Sequence, residues 1–327
     1  MRIAKLALAL FTANLAISTL GTSALKAESG RWPQRPVRVI TPFGAGTAND
    51  ITARHFADRL AKRWGQPVAI ENRPGADTIV GVGGFVSAND DHTLLFAAAA
   101  SVTVVPLMKD KLPYDPNRDL VPISAACNTT IVIAAAASSN ILSLADLVSR
   151  AKAEPGKLLW TSGPSLPRFL FEAFLKNQAL AMLHVPYKET TPQLTDLGEG
   201  RIHIVITGLV GALPVLEAGK ARFLAVTNSE RAANFPNIPT AKEAGQPIMS
   251  VDGLSGFFGW RDMPVELRDR IAADIRTIAL HPELKSRLES IGQTLRVGTP
   301  AEFAAAIEVQ RLWATEIAKL VNFKATQ

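Results

Sequence analysis

Short apolar runs and amphipathic stretches alternate along most of the chain, and this alternation restricts the possible folds more than any other feature. The runs that predict strands lie at residues 37–42, 67–71, 93–98, 120–126, 129–136, 157–161, 183–186, 202–206 and 222–227. The stretches that predict helices lie near residues 48–64, 78–88, 143–153, 167–179, 190–199 and 211–218. Strands that alternate with helices are typical of parallel sheets covered by helices on both faces. The sequence therefore predicts an α/β fold with parallel-rich sheets flanked by helices.

The length of the chain favours two domains, because 327 residues are more than one hydrophobic core usually covers. Two predicted strands follow each other without a helix near Asn128, and beyond residue 262 the pattern is helical only. We therefore predict a discontinuous first domain from residues 31–128 and 252–327, and a second domain from residues 129–251. Small ligands usually bind in the cleft between two such domains.

The first residues have the pattern of an export signal. Two basic residues precede an apolar run from Leu6 to Leu20, and either Ala24 or Ala27 could end a cleavable signal peptide. The run is short for a membrane span, although an uncleaved N-terminal anchor is the alternative. We predict a signal peptide over residues 1–27 and a periplasmic protein.

Charge and composition argue against several functions. The net charge of +6 falls to about +3 without the three basic residues of the signal peptide, and the remaining basic residues alternate with acids. No nucleic-acid surface is therefore predicted. The single cysteine, Cys127, lies in an apolar run and is expected to be an inert core residue. The five histidines lack metal-ligand spacing and no G-x-S-x-G motif occurs, so we predict no enzyme and no metal. Ligand capture would need no cofactor, and a monomer would suffice.

A glycine-rich loop, Pro42–Asp50, joins the first predicted strand to the first predicted helix. Its small residues let backbone N–H groups approach a ligand, and the helix N-terminus adds roughly half a positive charge. Such a loop can hold a carboxylate or a phosphate. The alternative is an ordinary strand-to-helix turn with Thr47 or Asn49 as the N-cap. The motif is neither a P-loop nor a complete G-x-G-x-x-G.

A second loop, Glu71–Thr78, also follows a predicted strand and precedes a helix. Its glycine and small residues could offer further N–H groups, and the hydroxyl of Thr78 lies at the next helix start. The alternative is again an ordinary turn. Two such loops after successive parallel strands open at the same edge of a sheet, where α/β proteins bind ligands, and this favours the binding function.

At these two loops the chain resembles the Bug or TctC-type receptors, the extracytoplasmic solute-binding proteins of tripartite tricarboxylate transport systems. The matching segments are WPQRPVRVITPFGAGTANDITAR and IENRPGADT, and the resemblance continues through LPYDPNRDL, HVPYK and GRIHIVITG in family order. It implies a two-domain periplasmic binding protein of type II, a Venus flytrap that closes on a small organic acid. It also implies a membrane permease, or a sensor's extracytoplasmic domain, as the partner of the closed form.

The resemblance further implies which residues contact the ligand. In the family, two loops of the first domain hold a carboxylate through N–H groups, hydroxyls and water rather than through a basic side chain. The matching positions here are Phe43, Gly44, Ala45, Gly46, Thr47, Asp50, Gly75, Ala76, Asp77, Thr78 and Ser101. The expected contributions of the second domain are Ser162, Ser165, Tyr187, Thr207 and Gly208. Outside the first two loops, each of these could instead be a plain turn residue.

The chain departs from the family pattern where a ligand is expected. Thr47 replaces a glycine of the first loop, and Asp77 and Thr78 replace the Gly-Gly of the second. A carboxylate beside an anion pocket repels an acid unless it turns outward or meets an amino group. One hypothesis is that Asp77, together with Asp50, selects a ligand that carries an amino group. The alternatives are an aspartate that interacts with a helix N-terminus, and a paralogue that binds no ligand.

Overall fold

The computed structural model describes residues 32–187, 190–232 and 234–325. The predicted signal peptide, residues 1–27, lies outside these ranges. Among the described residues, no helix has the length and apolar character needed to cross a membrane. The strands of the described residues are β1 (Val37–Thr41), β2 (Val68–Asn72), β3 (Thr93–Ala98), β4 (Leu120–Thr129), β5 (Ile131–Ala136), β6 (Leu159–Ser162), β7 (Leu183–His184), β8 (Ile204–Gly208), β9 (Ala221–Val226), β10 (Gly253–Trp260) and β11 (Gln293–Leu295).

Helices connect most of these strands and flank the sheets. The α-helices of the described residues are α1 (Ala48–Trp64), α2 (Ile79–Ala88), α3 (Ala100–Thr103), α4 (Val105–Met108), α5 (Leu144–Ala153), α6 (Leu166–Asn177), α7 (Thr190–Gly198), α8 (Leu209–Glu217), α9 (Val265–Ala279), α10 (Pro282–Ser290) and α11 (Pro300–Leu320). Short 3₁₀ turns occur at Ala76–Thr78, Ala137–Ser139 and Pro247–Met249. The α/β class predicted from the alternation is confirmed.

The strands form two sheets, and both sheets are mixed rather than parallel-rich. The six-stranded sheet has the order β11-β4-β10-β3-β1-β2, and the five-stranded sheet has the order β7-β6-β8-β5-β9. β1 is parallel to β2 and β3, whereas β10 is antiparallel to β3 and β4. In the other sheet β6 is parallel to β7 and β8, whereas β5 is antiparallel to β8 and β9. The chain passes from one sheet into β5, and later back into β10, without an α-helix immediately before either strand. Parallel pairing usually needs such a crossover helix, and β5 and β10 are accordingly antiparallel to their neighbours.

The sequence predicts no strand at β10, because its segment GLSGFFGW contains three glycines and glycine is uncommon in strands. In the structure β10 is nevertheless a central strand between β3 and β4. A Cβ atom at Gly256 would lie 2.5 Å from the carbonyl oxygen of Ser124 and 2.6 Å from the ring of Phe303. Glycine is therefore required for close packing at this position. The prediction that the chain beyond residue 262 forms only helices is also wrong, because the three-residue strand β11 lies there and pairs with β4.

We expect Gly256→Ala to destabilise the protein by about 1–3 kcal/mol, because the added methyl group overpacks a filled core. Urea unfolding followed by circular dichroism measures this free energy. Gly44→Ala is the matched control, since a Cβ atom at Gly44 would meet nothing within 4 Å. The control should stay within about 0.5 kcal/mol of the wild type. Equal unfolding midpoints for the two variants would contradict this account of β10.

Aromatic rings fill the core between α1 and the six-stranded sheet. The ring of Phe257 lies 5.7 Å from that of Phe56 and 5.0 Å from that of Phe96, in edge-to-face arrangements. Cys127 in β4 is completely buried nearby in the same sheet. Burial raises the pKa of its thiol to about 12, so the thiol stays protonated and unreactive near neutral pH. The prediction of an inert core cysteine is confirmed.

Candidate ligand-binding site

A cavity of about 400 Å³ lies where the ends of strands from both sheets meet. The six-stranded sheet contributes the loop after β1 and the start of β10, and the five-stranded sheet contributes the turn after β6 and the end of β8. Among the described residues, no charged side chain lines this cavity. Its polar side chains are hydroxyls and one amide, those of Thr47, Asn49, Thr129, Ser165, Thr191, Thr207 and Ser255.

The first glycine-rich loop forms one wall of the cavity. Its lining residues are Phe43, Ala45, Gly46 and Thr47, and Gly44 lies among them in the chain. Thr47 is the N-cap of α1, and its hydroxyl accepts a hydrogen bond from the Asp50 N–H at 3.3 Å. The next residues of α1, Ala48 and Asn49, also line the cavity. Their N–H groups have no acceptor within the helix and can therefore donate to a ligand.

Asp50 binds the backbone of this loop and does not line the cavity. Its side chain is 2% exposed, and its carboxylate accepts hydrogen bonds from the Gly46 N–H at 2.9 Å and from the Asn72 amide at 2.7 Å. Arg54 forms an ion pair with it at 3.0 Å. Burial would raise the pKa of Asp50, but the hydrogen bonds from Arg54, Asn72 and Gly46 outweigh burial, and the pKa is lowered. Because donors of the protein already occupy its carboxylate, Asp50 does not fit the predicted role of selecting an amino-bearing ligand.

We expect the free energy of unfolding to fall in acid, because protonation of Asp50 removes the stabilising contacts of its ionised form. A folded-state pKa below the unfolded value contributes stability that is present above about pH 3.9. This contribution is lost as the pH falls through the lowered folded-state pKa. Asp50→Asn removes the titrating group, so its unfolding free energy should depend less on pH below about 4. Urea unfolding at a series of acidic pH values compares the two proteins, and an identical pH dependence would contradict the assignment.

The second loop does not line the cavity, in contrast to the prediction for Gly75, Ala76, Asp77 and Thr78. Ala76, Asp77 and Thr78 have φ angles of 46°, 54° and 81°, a region that residues with a Cβ atom rarely adopt. Neighbouring contacts must therefore hold this loop in place. The buried Thr78 hydroxyl donates to the Ser101 hydroxyl at 2.9 Å, and Ser101 is 1% exposed. These two predicted ligand contacts thus bind each other outside the cavity wall.

Asp77 forms an ion pair with a cation of the protein itself. The Arg168 guanidinium donates to one oxygen of Asp77 at 2.8 Å, and the Ser165 N–H lies 3.4 Å from the other oxygen. Arg168 also donates to Glu172 at 2.8 Å. Burial lowers the pKa of Arg168, but Glu172 and Asp77 outweigh burial and raise it, so the guanidinium stays charged. This ion pair within the protein does not fit the hypothesis of an amino-bearing ligand. The Ser165 N–H, at the N-terminus of α6, gives Asp77 a contact of the kind that the helix N-terminus alternative describes.

The residues predicted in the five-stranded sheet divide into two groups. Ser165, Thr207 and Gly208 line the cavity, whereas Ser162 and Tyr187 do not. The Tyr187 hydroxyl donates to the Asp196 carboxylate, and burial together with this bond raises the pKa of Tyr187 to about 12. Tyr187 therefore fits a structural role.

Ser255 is a lining residue that sequence reasoning missed. It is 1% exposed, lies in β10 opposite Cys127, and its hydroxyl has no hydrogen-bond partner among the described residues. A buried hydroxyl without a partner is uncommon and is available to a ligand in the adjoining cavity. No strand was predicted around Ser255, so no signal in the sequence placed it beside the first loop.

A second cavity, of about 440 Å³, includes the charged residues Glu230, Arg231, Asp252 and Arg296. It shares no residue with the predicted site. The two volumes are too similar to distinguish the cavities, but their linings differ. Small-molecule sites are mostly apolar with a few polar groups, and the first cavity has this composition and includes the first predicted loop. We therefore take the first cavity as the candidate site.

One group of possible metal ligands occurs in the part of the chain that the structure describes. It consists of Asp90, Asp91 and His92, just before β3. The Asp90 carboxylate accepts hydrogen bonds from the His92 N–H at 3.1 Å and from the Thr93 hydroxyl at 2.7 Å. These are the bonds of an aspartate that caps a turn, and the group lies outside both cavities.

Two mixed α/β sheets with a ligand-sized cavity at their strand ends define the fold of periplasmic solute-binding proteins. The profile of TctC, the tripartite tricarboxylate transporter family receptor, matches residues 52–300. The chain belongs to this family of receptors, which bind solutes and are not enzymes. The resemblance seen in the two loops is thereby confirmed.

The similarity to individual relatives covers most of the chain. A UPF0065 protein of Bordetella bronchiseptica is 31% identical over 311 residues, which cover 95% of this chain and 92% of that protein. The structure of R. palustris Rpa4515 with adipate has a TM-score of 0.84 and 27% identity, covering 90% of this chain and 100% of that one. MatC from Rhodopseudomonas palustris with bound malate has a TM-score of 0.78 and 25% identity, and the match covers 89% of this chain and 100% of MatC. Both bound ligands are dicarboxylates.

Proposed function

We propose that this protein captures a small organic acid in the periplasm and delivers it to a tripartite tricarboxylate-type membrane transporter. Family membership and the relatives that bind adipate and malate support the proposal. The observation that carries it is the wall formed by the first loop, where the N-terminus of α1 opens into a cavity with no charged lining among the described residues. Capture by this site needs no cofactor.

The carboxylate of the acid would lie at the start of α1. Ala48 and Asn49 supply N–H groups that have no helical acceptor, and the helix dipole favours a negative charge there. The Ser255 hydroxyl adds a donor without a partner among the described residues. Apolar residues such as Ile51, Leu194 and Val210 line other parts of the wall and would contact the body of the ligand.

We also propose that the protein closes on its ligand through two domains, residues 31–128 with 252–327, and residues 129–251. In support, β5 to β9 all belong to the five-stranded sheet, and the remaining strands belong to the six-stranded sheet. Thr129 and Gly253, which lie where the chain passes between the sheets, both line the cavity. A ligand that contacts both sheets binds the closed form better and shifts the population towards it.

A thermal-shift screen tests the proposed function. The purified protein is unfolded and refolded to remove bound solute, and is then screened with monocarboxylic, dicarboxylic and amino acids and with the matching amides. An acid present at a hundred times its dissociation constant should stabilise the folded protein by about 2.7 kcal/mol, which raises the melting temperature by several degrees. The neutral amides should give little shift. A flat response to all the acids by the folded protein would contradict the proposal.

A further inference from the structure

The Asp77–Arg168 ion pair adjoins the candidate cavity through Ser165. Ser165 is 1% exposed, lines the cavity, and has its N–H 3.4 Å from one Asp77 oxygen. Asp77 follows β2 of the six-stranded sheet, whereas Arg168 lies in α6, which follows β6 of the five-stranded sheet. The pair thus joins elements of the two sheets at the edge of the cavity.

Arg168 and the Ser165 N–H together form an arrangement suited to a carboxylate. Guanidinium groups and helix N-terminal N–H groups are both strong donors to carboxylate oxygens. In this protein Asp77 takes that position, with 2.8 Å to the Arg168 guanidinium. Its side chain is 11% exposed, so the carboxylate is held inside the protein and largely away from solvent. Asp77 is therefore an internal carboxylate at a position that a carboxylate of a ligand could otherwise take.

The charge around this position is negative rather than positive. Arg168 carries one positive charge, and both Asp77 and Glu172 lie 2.8 Å from it. The three side chains sum to −1, so no positive charge remains to attract a second anion. Burying an unpaired carboxylate is costly, and a neighbouring negative charge adds to that cost. A ligand with a second carboxylate would meet both penalties in a cavity whose described lining contains no charged side chain.

We propose that the protein selects monocarboxylic acids with an apolar body over dicarboxylic acids, with the Asp77–Arg168 pair as the determinant. The inference rests on the proposed function, since only a receptor for organic acids makes this choice. The start of α1 supplies the site for one carboxylate. The second anion position is filled by Asp77 in this protein, whereas two similar structures hold the dicarboxylates adipate and malate.

Isothermal titration of the stripped, refolded protein with two matched pairs of acids tests this selectivity. Hexanoate and adipate have the same chain length and differ by one carboxylate, as benzoate and terephthalate do among aromatic acids. The monocarboxylic member of a pair that fits the cavity should bind about tenfold tighter or more, since the site leaves a second carboxylate unpaired.

Two variants test whether Asp77 causes the selectivity. Asp77→Gly frees the Nη1 group of Arg168, whereas Nε keeps its bond to Glu172, and glycine suits the φ of 54° at this position. Asp77→Asn keeps the shape of the side chain and removes its charge. In both variants the ratio of the two dissociation constants, dicarboxylic to monocarboxylic, should fall by about fivefold or more. The cause would be tighter binding of the dicarboxylic acid to the Arg168 group that Asp77 no longer neutralises. Glu316→Gln removes an exposed acid of α11 that pairs with Lys319, and this control should leave the preference unchanged.

The outcomes separate the inference from the proposed function. A wild-type protein that binds the dicarboxylic acids as tightly as the monocarboxylic ones overturns the inference and leaves the proposed function standing. An unchanged preference in both Asp77 variants also overturns the inference, because the ion pair would then not determine it. If the folded protein binds none of the four acids, and none of the acids in the thermal screen, the proposed function fails and the inference fails with it.

Discussion

Gly208→Leu is expected to abolish the binding of every acid that stabilises the wild-type protein, with an affinity loss of about a hundredfold or more from steric overlap. Gly208 ends β8 and lines the cavity. Its φ of −62° and ψ of 135° are accessible to any residue. A Cβ atom there would meet only the Thr129 methyl group, at 3.8 Å. A leucine can therefore fold into place and occupy the volume that the ligand needs.

The matched control for this variant is Gly208→Ala, whose methyl group stands at ordinary van der Waals distance from Thr129. Titration calorimetry should show the alanine variant within a few-fold of the wild type, because its side chain extends little into the cavity. Urea unfolding should show both variants near wild-type stability. Full binding by a folded Gly208→Leu protein would mean that the acid binds outside this cavity.

Phe257→Ala is expected to destabilise the protein by about 3–5 kcal/mol, the usual cost of removing a buried aromatic ring. Phe257 is 0% exposed at the centre of β10 and contacts the rings of Phe56 and Phe96 edge to face. The alanine leaves a void between α1 and the six-stranded sheet. It also removes two ring contacts of about 0.5–1.5 kcal/mol each beyond simple burial.

Urea unfolding measures the effect of Phe257→Ala, with Leu280→Ala as its control. Leu280 is 81% exposed at the end of α9, so truncating it should change the unfolding free energy by no more than about 0.5 kcal/mol. If the two variants had the same midpoint, Phe257 would not belong to a packed core. The central position assigned to β10 would then be wrong.

The fold class could be predicted because most strands and helices have their own local apolar pattern. β1 to β9 all overlap predicted strands, and α9 and α11 begin at Val265 and Pro300 as the neighbouring prolines suggest. β10 could not be predicted, because its glycines favour a loop locally and its strand conformation depends on pairing with β3 and β4. That pairing makes the six-stranded sheet mixed, and the antiparallel pairing of β5 with β8 and β9 makes the five-stranded sheet mixed. Local patterns do not reveal which strands pair or in which direction.

The candidate site was predictable only where it is continuous in sequence. Phe43 to Thr47 form one loop between a strand and a helix, and the structure places this loop in the cavity wall. The second loop has a similar local pattern, but the ion pair with Arg168, 91 residues further along, gives Asp77 another role. Local spacing contains no information about such a partner. Asp50 shows the same limitation, because Asn72, 22 residues away, supplies one of its donors.

A crystal structure of the refolded protein, soaked or grown with hexanoate or with whichever acid gives the largest thermal shift, would locate the bound acid directly. We expect the carboxylate at the start of α1, within hydrogen-bond distance of the N–H groups of Ala48 or Asn49, and the body of the ligand against Ile51 or Val210. We also expect Asp77 to keep its contact with Arg168. A carboxylate bound to Arg168 in place of Asp77, or a ligand in the second, charged cavity, would contradict the account.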